Sequence, residues 1–519
     1  MSLRINSFKQ AAFWSTAING FSQGLALLFS MVMAAMFGAQ ESTDVLYYCT
    51  GIFMLLTTVL QAANVSVLIP ETMRRRHQVS EADAMAFINR FFAVFAVIIT
   101  ALGVGLLTKP IGVVAFISKF SPDVLQRNER LLFWLLASLP LQMTAQLLLD
   151  VLVSYKYLTL PAMLSCVNRV LNILFVLLFH RQLGVLSVAL GMLLGFALQV
   201  AINGYLLRRA IRWNLRVWRT HIGGQVFRNI AWVEGGTVAS TLAGYLPLFL
   251  FSGFSAGLLT ALNYARRLSA VPTELLTVQL TSVLGIKFNE LAAQRQQEKL
   301  GESLGHTLRL AIFLLVPVSV LLALVSQELV DILFAHGAFR GAAVGTTALL
   351  FALLVLALPL IGVSTILGRY FVARQAIGYG TAWQTFSALL NAALVIGAVH
   401  VWGPVGFPIA LLVHGVLYLA CLSPSLTKRF PGLPIAAVWR SLVATSVAAS
   451  VAALLAWTIR QFIHFPSPWL RGGTTAFLFF IFWGLWISLR SPDAFAWQYY
   501  RNLVQSVWRR RLGLTLPAK

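Results

Sequence analysis

The chain has 519 residues, of which 59% are hydrophobic and 11% charged, with a mean hydropathy of +0.81 and a formal net charge of +23. A soluble protein carries about 25% charged residues, so this composition excludes a soluble enzyme and requires most of the chain to face lipid or other apolar helices. The three cysteines, Cys49, Cys166 and Cys421, lie in apolar runs and form neither a disulfide framework nor a metal-ligand spacing.

At the start, Met1 to Gln10 carries Arg4 and Lys9, and no small-residue cleavage site follows. The next apolar stretch therefore reads as a first membrane span rather than a signal peptide. A span needs about 20 mainly apolar residues. Candidates follow at 10–38, 45–71, 86–108, 130–154, 159–180, 184–207, 229–252, 256–286, 308–334, 342–373, 379–401, 405–427, 436–459 and 472–489. The expected fold is an all-α polytopic membrane protein of about fourteen helices.

An even number of spans puts both termini on one side. Basic loops such as Arg74-Arg75-Arg76 and Arg208 to Arg219 mark that side as cytoplasmic, whereas the first outer loop, Gln40 to Asp44, is acidic. The net charge thus belongs to membrane topology, and nucleic acid is not an expected partner. The tail from Phe495 to Arg511, with Trp497, Tyr500 and Trp508, reads as an interfacial helix on anionic lipid.

The chain also repeats at one constant spacing. Leu139 and Pro140 match Leu358 and Pro359, Asn172 matches Asn391, Gly184 matches Gly403, and Arg209 falls on Lys428. A six-helix offset preserves orientation, so the expectation is two parallel six-helix repeats plus two C-terminal helices. The corresponding parts are an N-terminal lobe at 1–224, a second lobe at 225–430, helices 13 and 14 at 431–490, and a basic cytoplasmic tail at 491–519. Transporters with such repeats place substrate near the midplane between rocking halves.

Polar residues within hydrocarbon need a partner or a wet cavity. Span 1 carries Thr16, Asn19, Gln23 and Ser30 on one face, and span 2 carries Thr50, Thr57, Gln61 and Asn64. Span 7 carries Glu234, Thr237, Thr241 and Tyr245; span 8 carries Thr260, Asn263, Arg267, Glu274 and Thr281. Interhelical hydrogen bonding explains any one stripe, but stripes on the first two helices of both repeats point to a shared hydrophilic cavity. Mid-span, one arginine costs at least ~2.5–3.5 kcal/mol. Arg267 shares the span 8 stripe, where its planar fork suits a phosphate; an ion pair with Glu274 or Glu234 is the competing role. Arg266 points about 100° away, toward a pairing with Glu234 or the interface.

Spans 5 and 11 carry a related pattern, Ser165, Asn168 and Asn172 against Gln384, Ser387 and Asn391, with packing as the expected role. Asp150 and Arg369 occupy equivalent repeat positions and suit a gate or an ion pair. No nucleophile–base set, glycine-rich phosphate loop or metal cluster stands in a soluble segment, so neither enzymatic activity nor a cofactor is expected.

Several motifs resemble the MurJ/MviN family of lipid II flippases, within the multidrug/oligosaccharidyl-lipid/polysaccharide exporter superfamily. Phe37-Gly38-Ala39 with Thr43-Asp44 resembles its F-G-A-x-x-x-T-D, and Asn64 through Pro70-Glu71 the end of its second helix. Tyr264-Ala265-Arg266-Arg267-Leu268 with Pro272 resembles Y-A-D-R-L…P, and Leu333 to Phe339 resembles L-F-x-x-G-x-F. Arg374-Gln375 matches a further turn. The resemblance implies alternating access in a bacterial inner membrane and a cavity lined by helices 1, 2, 7 and 8. It implies an undecaprenyl-pyrophosphate-linked saccharide as substrate, with its lipid tail at helices 13 and 14. Arg267 takes the place of a cavity arginine and Asp44 that of the acid opening helix 2. Membrane lipids and glycan-synthesis proteins are the expected partners, with Na+, H+ or the membrane potential as the energy source.

Departures are equally specific. Gln23, Phe29 and Ser30 stand where the family's first helix carries charged residues, Thr57 and Thr58 replace an arginine pair, and Arg266 replaces an aspartate. These changes favour an exopolysaccharide repeat unit over lipid II. The alternatives are a cation-coupled antiporter using Glu234 and, less favoured by the short loops, a glycan polymerase.

Overall fold

The computed structural model describes residues 8–155, 157, 160–218, 224–463, 465–489, 493, 497–498 and 501. Most of the basic tail lies outside these residues. Among those described, eleven helical stretches are long and apolar enough to cross a membrane, and one of them, Gly378–Arg429, is 52 residues long and holds two helices that are each of spanning length. The chain is a polytopic all-helical membrane protein. In hydrocarbon a backbone N–H has no water to bond, so spanning segments close their hydrogen bonds internally.

Two compact units form, the first from Met1–Tyr264 with His336–Ala343 and the second from Ala265–Ala335 with Val344–Lys519. The first contains α1 (Phe8–Phe37), α2 (Glu41–Ala63), α3 (Ile69–Gln78), α4 (Glu81–Thr108), α5 (Pro110–Ile117) and α6 (Pro122–Arg127). It continues with α7 (Glu129–Ser154), α8 (Leu160–Leu183), α9 (Leu186–Ala210), α10 (Gly224–Phe251) and the start of α11 (Leu258–Pro272). α7 packs on α9, α2 and α4, and its buried face of Leu132, Leu135, Leu139, Leu148 and Leu152 supplies much of the core.

The second unit holds the rest of α11, α12 (Gln279–Ala293), α13 (Gln297–Leu324), α14 (Ser326–Leu333), α15 (Ala342–Leu356, less its first two residues) and α16 (Leu358–Ala373). It ends with α17 (Ile377–Trp402), α18 (Gly406–Arg429), α19 (Ile435–Gln461) and α20 (Pro468–Leu489). Two buried carboxylates pair with arginines here: Glu328 with Arg460, and Asp493 with Arg309 at 2.7 Å. Breaking either pair would leave a charge stranded in an apolar surrounding.

Two helices carry a feature that periodicity does not reveal. Asn64–Leu68 joins α2 to α3 as a π-helical turn, and Thr273–Val278 joins α11 to α12 in the same way. A π turn takes one extra residue into the helix, re-aims the side chains around it and recurs at functional positions.

Candidate functional site

Three of the sequence motifs come together at one end of the first unit. Asp44 lies in the first turn of α2 and is 4% exposed. One of its carboxylate oxygens accepts from the Gly257 N–H at 2.6 Å; the other accepts from the Thr260 N–H at 2.7 Å and the Thr260 hydroxyl at 2.6 Å. These N–H groups belong to the approach and first turn of α11, whose amides have no partner within the helix. A carboxylate there satisfies the amides and complements the positive helix end. Thr43 completes the clasp: its hydroxyl oxygen lies 2.9 Å from Thr260 Oγ1 and caps its own helix by accepting from the Gln40 N–H.

Close backbone approach makes this clasp possible. Gly257 has φ +88°, and a Cβ there would stand 2.9 Å from the Ala39 carbonyl oxygen. On the other side the Ala338 N–H donates to the Ala35 carbonyl at 2.9 Å, and Gly337 leaves the room for it. Tyr264 then stands edge-on to both Tyr47 and Phe339, with ring centroids 5.6 and 5.3 Å away. Thr43 and Asp44, Tyr264, and Gly337 to Phe339, each from a different motif, thus belong to one packed cluster of the first unit. Asp44→Ala is expected to strand the Gly257 and Thr260 backbone donors at about 1–3 kcal/mol each, whereas Asp44→Asn keeps one acceptor oxygen. Thermal unfolding of the purified protein should place the Ala variant lowest, and equal melting of Ala and wild type would show the clasp to be dispensable.

Elsewhere on α1 and α2 the stripe residues divide. Ser30 donates to the Ala26 carbonyl at 3.0 Å, Thr50 to Leu46 at 2.9 Å and Thr57 to Phe53 at 2.8 Å, so these hydroxyls are spent on their own helices. Gln23 is half-buried and Gln61 exposed. Asn64, at the π turn, is fully buried and donates to Asp150 at 2.6 Å. Asn19 lies on α1 and Glu234 on α10, but both side chains are outside the described residues, as is that of Thr281. Thr241 and Tyr245 of α10 line an apolar cavity of about 320 Å³, bordered also by Tyr48, Phe53 and Leu102. The Tyr48 and Tyr245 hydroxyls both donate to the Ile117 carbonyl.

On α11, Asn263 and Arg267 are one helical turn apart and both half-buried. Arg266 stacks over the buried Phe407 ring, its guanidinium carbon 4.7 Å from the centroid. A stacked guanidinium keeps its charge against the ring face, an arrangement that the sequence does not announce because Phe407 is 141 positions away.

At the arginine-rich end, Arg75 bridges Glu71 at 2.7 Å and Asp83 at 3.0 Å, and Arg76 pairs with Glu81 at 3.1 Å. Tyr155 donates to Glu81 at 2.7 Å; burial, reinforced by this bond, pushes its phenol well above the ordinary range. Among the described residues, Asp150 takes its hydrogen bonds from Asn64 and from Gln146 at 2.9 Å. Neither the Asp44–Thr260 clasp nor the Asn64–Asp150 contact is visible in the sequence. The only signal for the first is an acid at the N-terminus of one helix and a Gly-x-x-Thr at the start of another.

Among the described residues no group of three or more His, Cys, Asp or Glu could hold a metal ion. The model of the family described as "Lipid II flippase MurJ" matches residues 33–472. A probable lipid II flippase MurJ of Aquifex aeolicus (strain VF5) is 25% identical over 278 residues, 52% of this chain and 53% of that protein. Its counterpart in Bdellovibrio bacteriovorus is 22% identical over 193 residues, 37% of each chain. The matched stretch therefore spans about half, or less, of the length of these curated relatives. In fold, the chain is similar to a lipid II flippase MurJ solved in an inward closed conformation, with TM-score 0.75, 18% identity and coverage of 91% of this chain and 98% of that one. An inward-facing multidrug resistance MATE transporter matches at TM-score 0.63 and 15% identity, over 81% of this chain and 99% of the other.

Proposed function

The chain belongs to the lipid II flippase MurJ family, and from that premise we propose that it flips an undecaprenyl-pyrophosphate-linked saccharide across the bacterial cytoplasmic membrane by alternating access. The family match across residues 33–472 carries this reading. Arg267 in the middle of α11 supports it, since a guanidinium fork binds phosphate oxygens through two parallel bonds. Because glutamine, phenylalanine, serine and threonines replace the family's charged residues on helices 1 and 2, we assign the substrate to an exopolysaccharide repeat unit rather than lipid II. Asn19, Gln23, Gln61 and Asn263 then serve the sugars, and Arg267 the pyrophosphate. Deletion of the gene tests this: a secreted or capsular polysaccharide should disappear.

Both termini are placed in the cytoplasm on the basic-loop asymmetry. In intact cells, single cysteines at Ser42 and Ser255 should react with a membrane-impermeant thiol reagent and one at Gln294 should not. Labelling of Gln294→Cys from outside would reverse the orientation.

A further inference from the structure

Asp150 is 6% exposed on α7 and sits in an apolar core with Ala63, Leu68, Leu147, Leu149 and Val151. A carboxylate in such a place needs a cation, or it gives up its charge by taking a proton. Among the described residues its hydrogen bonds come from two neutral amides, Asn64 Nδ2 at 2.6 Å and Gln146 Nε2 at 2.9 Å.

Among the described residues, the charged groups on the elements packed around α7 are engaged elsewhere, exposed or distant. On α3 and α4, Glu71, Arg74, Arg75 and Asp83 form one ion-pair network, and Arg76 and Glu81 another. Arg90 donates to the Trp218 carbonyl; His77 is exposed. On α8 and α9, Arg169 donates to the Ser22 carbonyl and Arg209 to the Tyr205 hydroxyl, while His180 is half-buried and Arg181 and Arg208 are exposed. At the far end of α2, Glu41 pairs with Arg127 of α6 and Asp44 is held by α11. Asp123 on α6 and Glu129 and Arg130 at the start of α7 lie about five turns or more from Asp150 along the chain.

A second observation points to what Asp150 binds. Asn64 is 0% exposed, and among the described residues neither its side-chain oxygen nor Gln142 Oε1, two turns from Asp150 on the same face of α7, accepts a hydrogen bond. An unserved buried acceptor costs about 1–3 kcal/mol. A protonated carboxyl pairs with a primary amide through two bonds, amide N–H to acid oxygen and acid O–H to amide oxygen. Ionised Asp150 can make only the first. The Asn64 oxygen is the acceptor for the second.

We propose that Asp150 is a proton-binding site of the first unit. It holds a proton against the Asn64 amide in this conformation and releases it to water when the π turn at Asn64–Leu68 carries that amide away. The step is balanced as carboxylic acid to carboxylate plus one aqueous proton. A proton fits better than sodium because amide N–H groups already occupy both carboxylate oxygens, and those donors would oppose a metal ion. That the exchange drives transport rests on the flippase reading; that a proton binds does not.

Infrared difference spectra of the purified full chain, titrated from alkaline to acid pH, test the binding directly. The protonated-carboxyl band of the wild type should be lost in Asp150→Asn. If that variant does not accumulate, the same band in Asn64→Ala should shift in frequency as its acceptor is removed. In cells, Asp150→Asn should lose polysaccharide export at normal protein level while Asp150→Glu keeps it. An acid band unchanged in both variants, or radioactive-sodium binding that depends on Asp150, would each overturn the proposal. A carboxyl band lost without any loss of export would leave the proton site standing and remove its role in transport.

Discussion

Replacement of Arg267 by alanine is expected to abolish polysaccharide export while leaving the protein at its normal level in the membrane. Arg267 shares a helix face with Asn263, whereas Arg266 stacks over Phe407. Charge-assisted hydrogen bonds contribute about 1.5–3 kcal/mol each. Losing a bidentate pair therefore weakens phosphate binding by roughly a hundredfold or more, at 1.4 kcal/mol per factor of ten. Lysine at this position should restore little, because a point charge on a flexible stem does not reproduce the planar fork. Arg266→Ala offers a contrast: it removes a stacking contact with Phe407 and should lower thermal stability. Normal export by Arg267→Ala would assign that arginine to a structural pairing and withdraw the phosphate role.

The second large effect concerns the sugar. A cell depleted of its own lipid II flippase is not expected to grow on this protein, whereas deletion of the gene from its native host should remove an extracellular polysaccharide. A pyrophosphate brings about two negative charges into a low-dielectric site, where several cations are needed to offset the desolvation. Gln23, Phe29, Ser30, Thr57 and Thr58 supply none. Thr57 and Thr58 moreover direct their hydroxyls to the Phe53 and Met54 carbonyls, at 2.8 Å each. Headgroup affinity then depends more heavily on sugar hydrogen bonds, which are directional and specific to one repeat unit. Robust growth in the depletion test would identify a lipid II flippase with a rearranged cavity.

Composition alone determined that this is a membrane protein with many spanning helices, because hydrocarbon forces the backbone into helices and sets their length. The family was legible too, since Gly38, Asp44, Tyr264 and Gly337 stand at fixed places in short motifs. Those motifs did not show that they meet. Asp44 reaches Thr260 across 216 positions of chain, and Ala35 reaches Ala338 through a backbone bond; only the packed first unit decides such pairings. The stripes were visible as periodicity, but periodicity does not distinguish a side chain facing a cavity from one bonded to its own carbonyl, as Ser30 and Thr57 are. The π turn at Asn64 has no sequence signature, yet its residue stands fully buried against Asp150. Whether a polar residue inside the membrane is satisfied or available depends on which helix lies beside it, and that is set by tertiary packing rather than by the helix's own sequence.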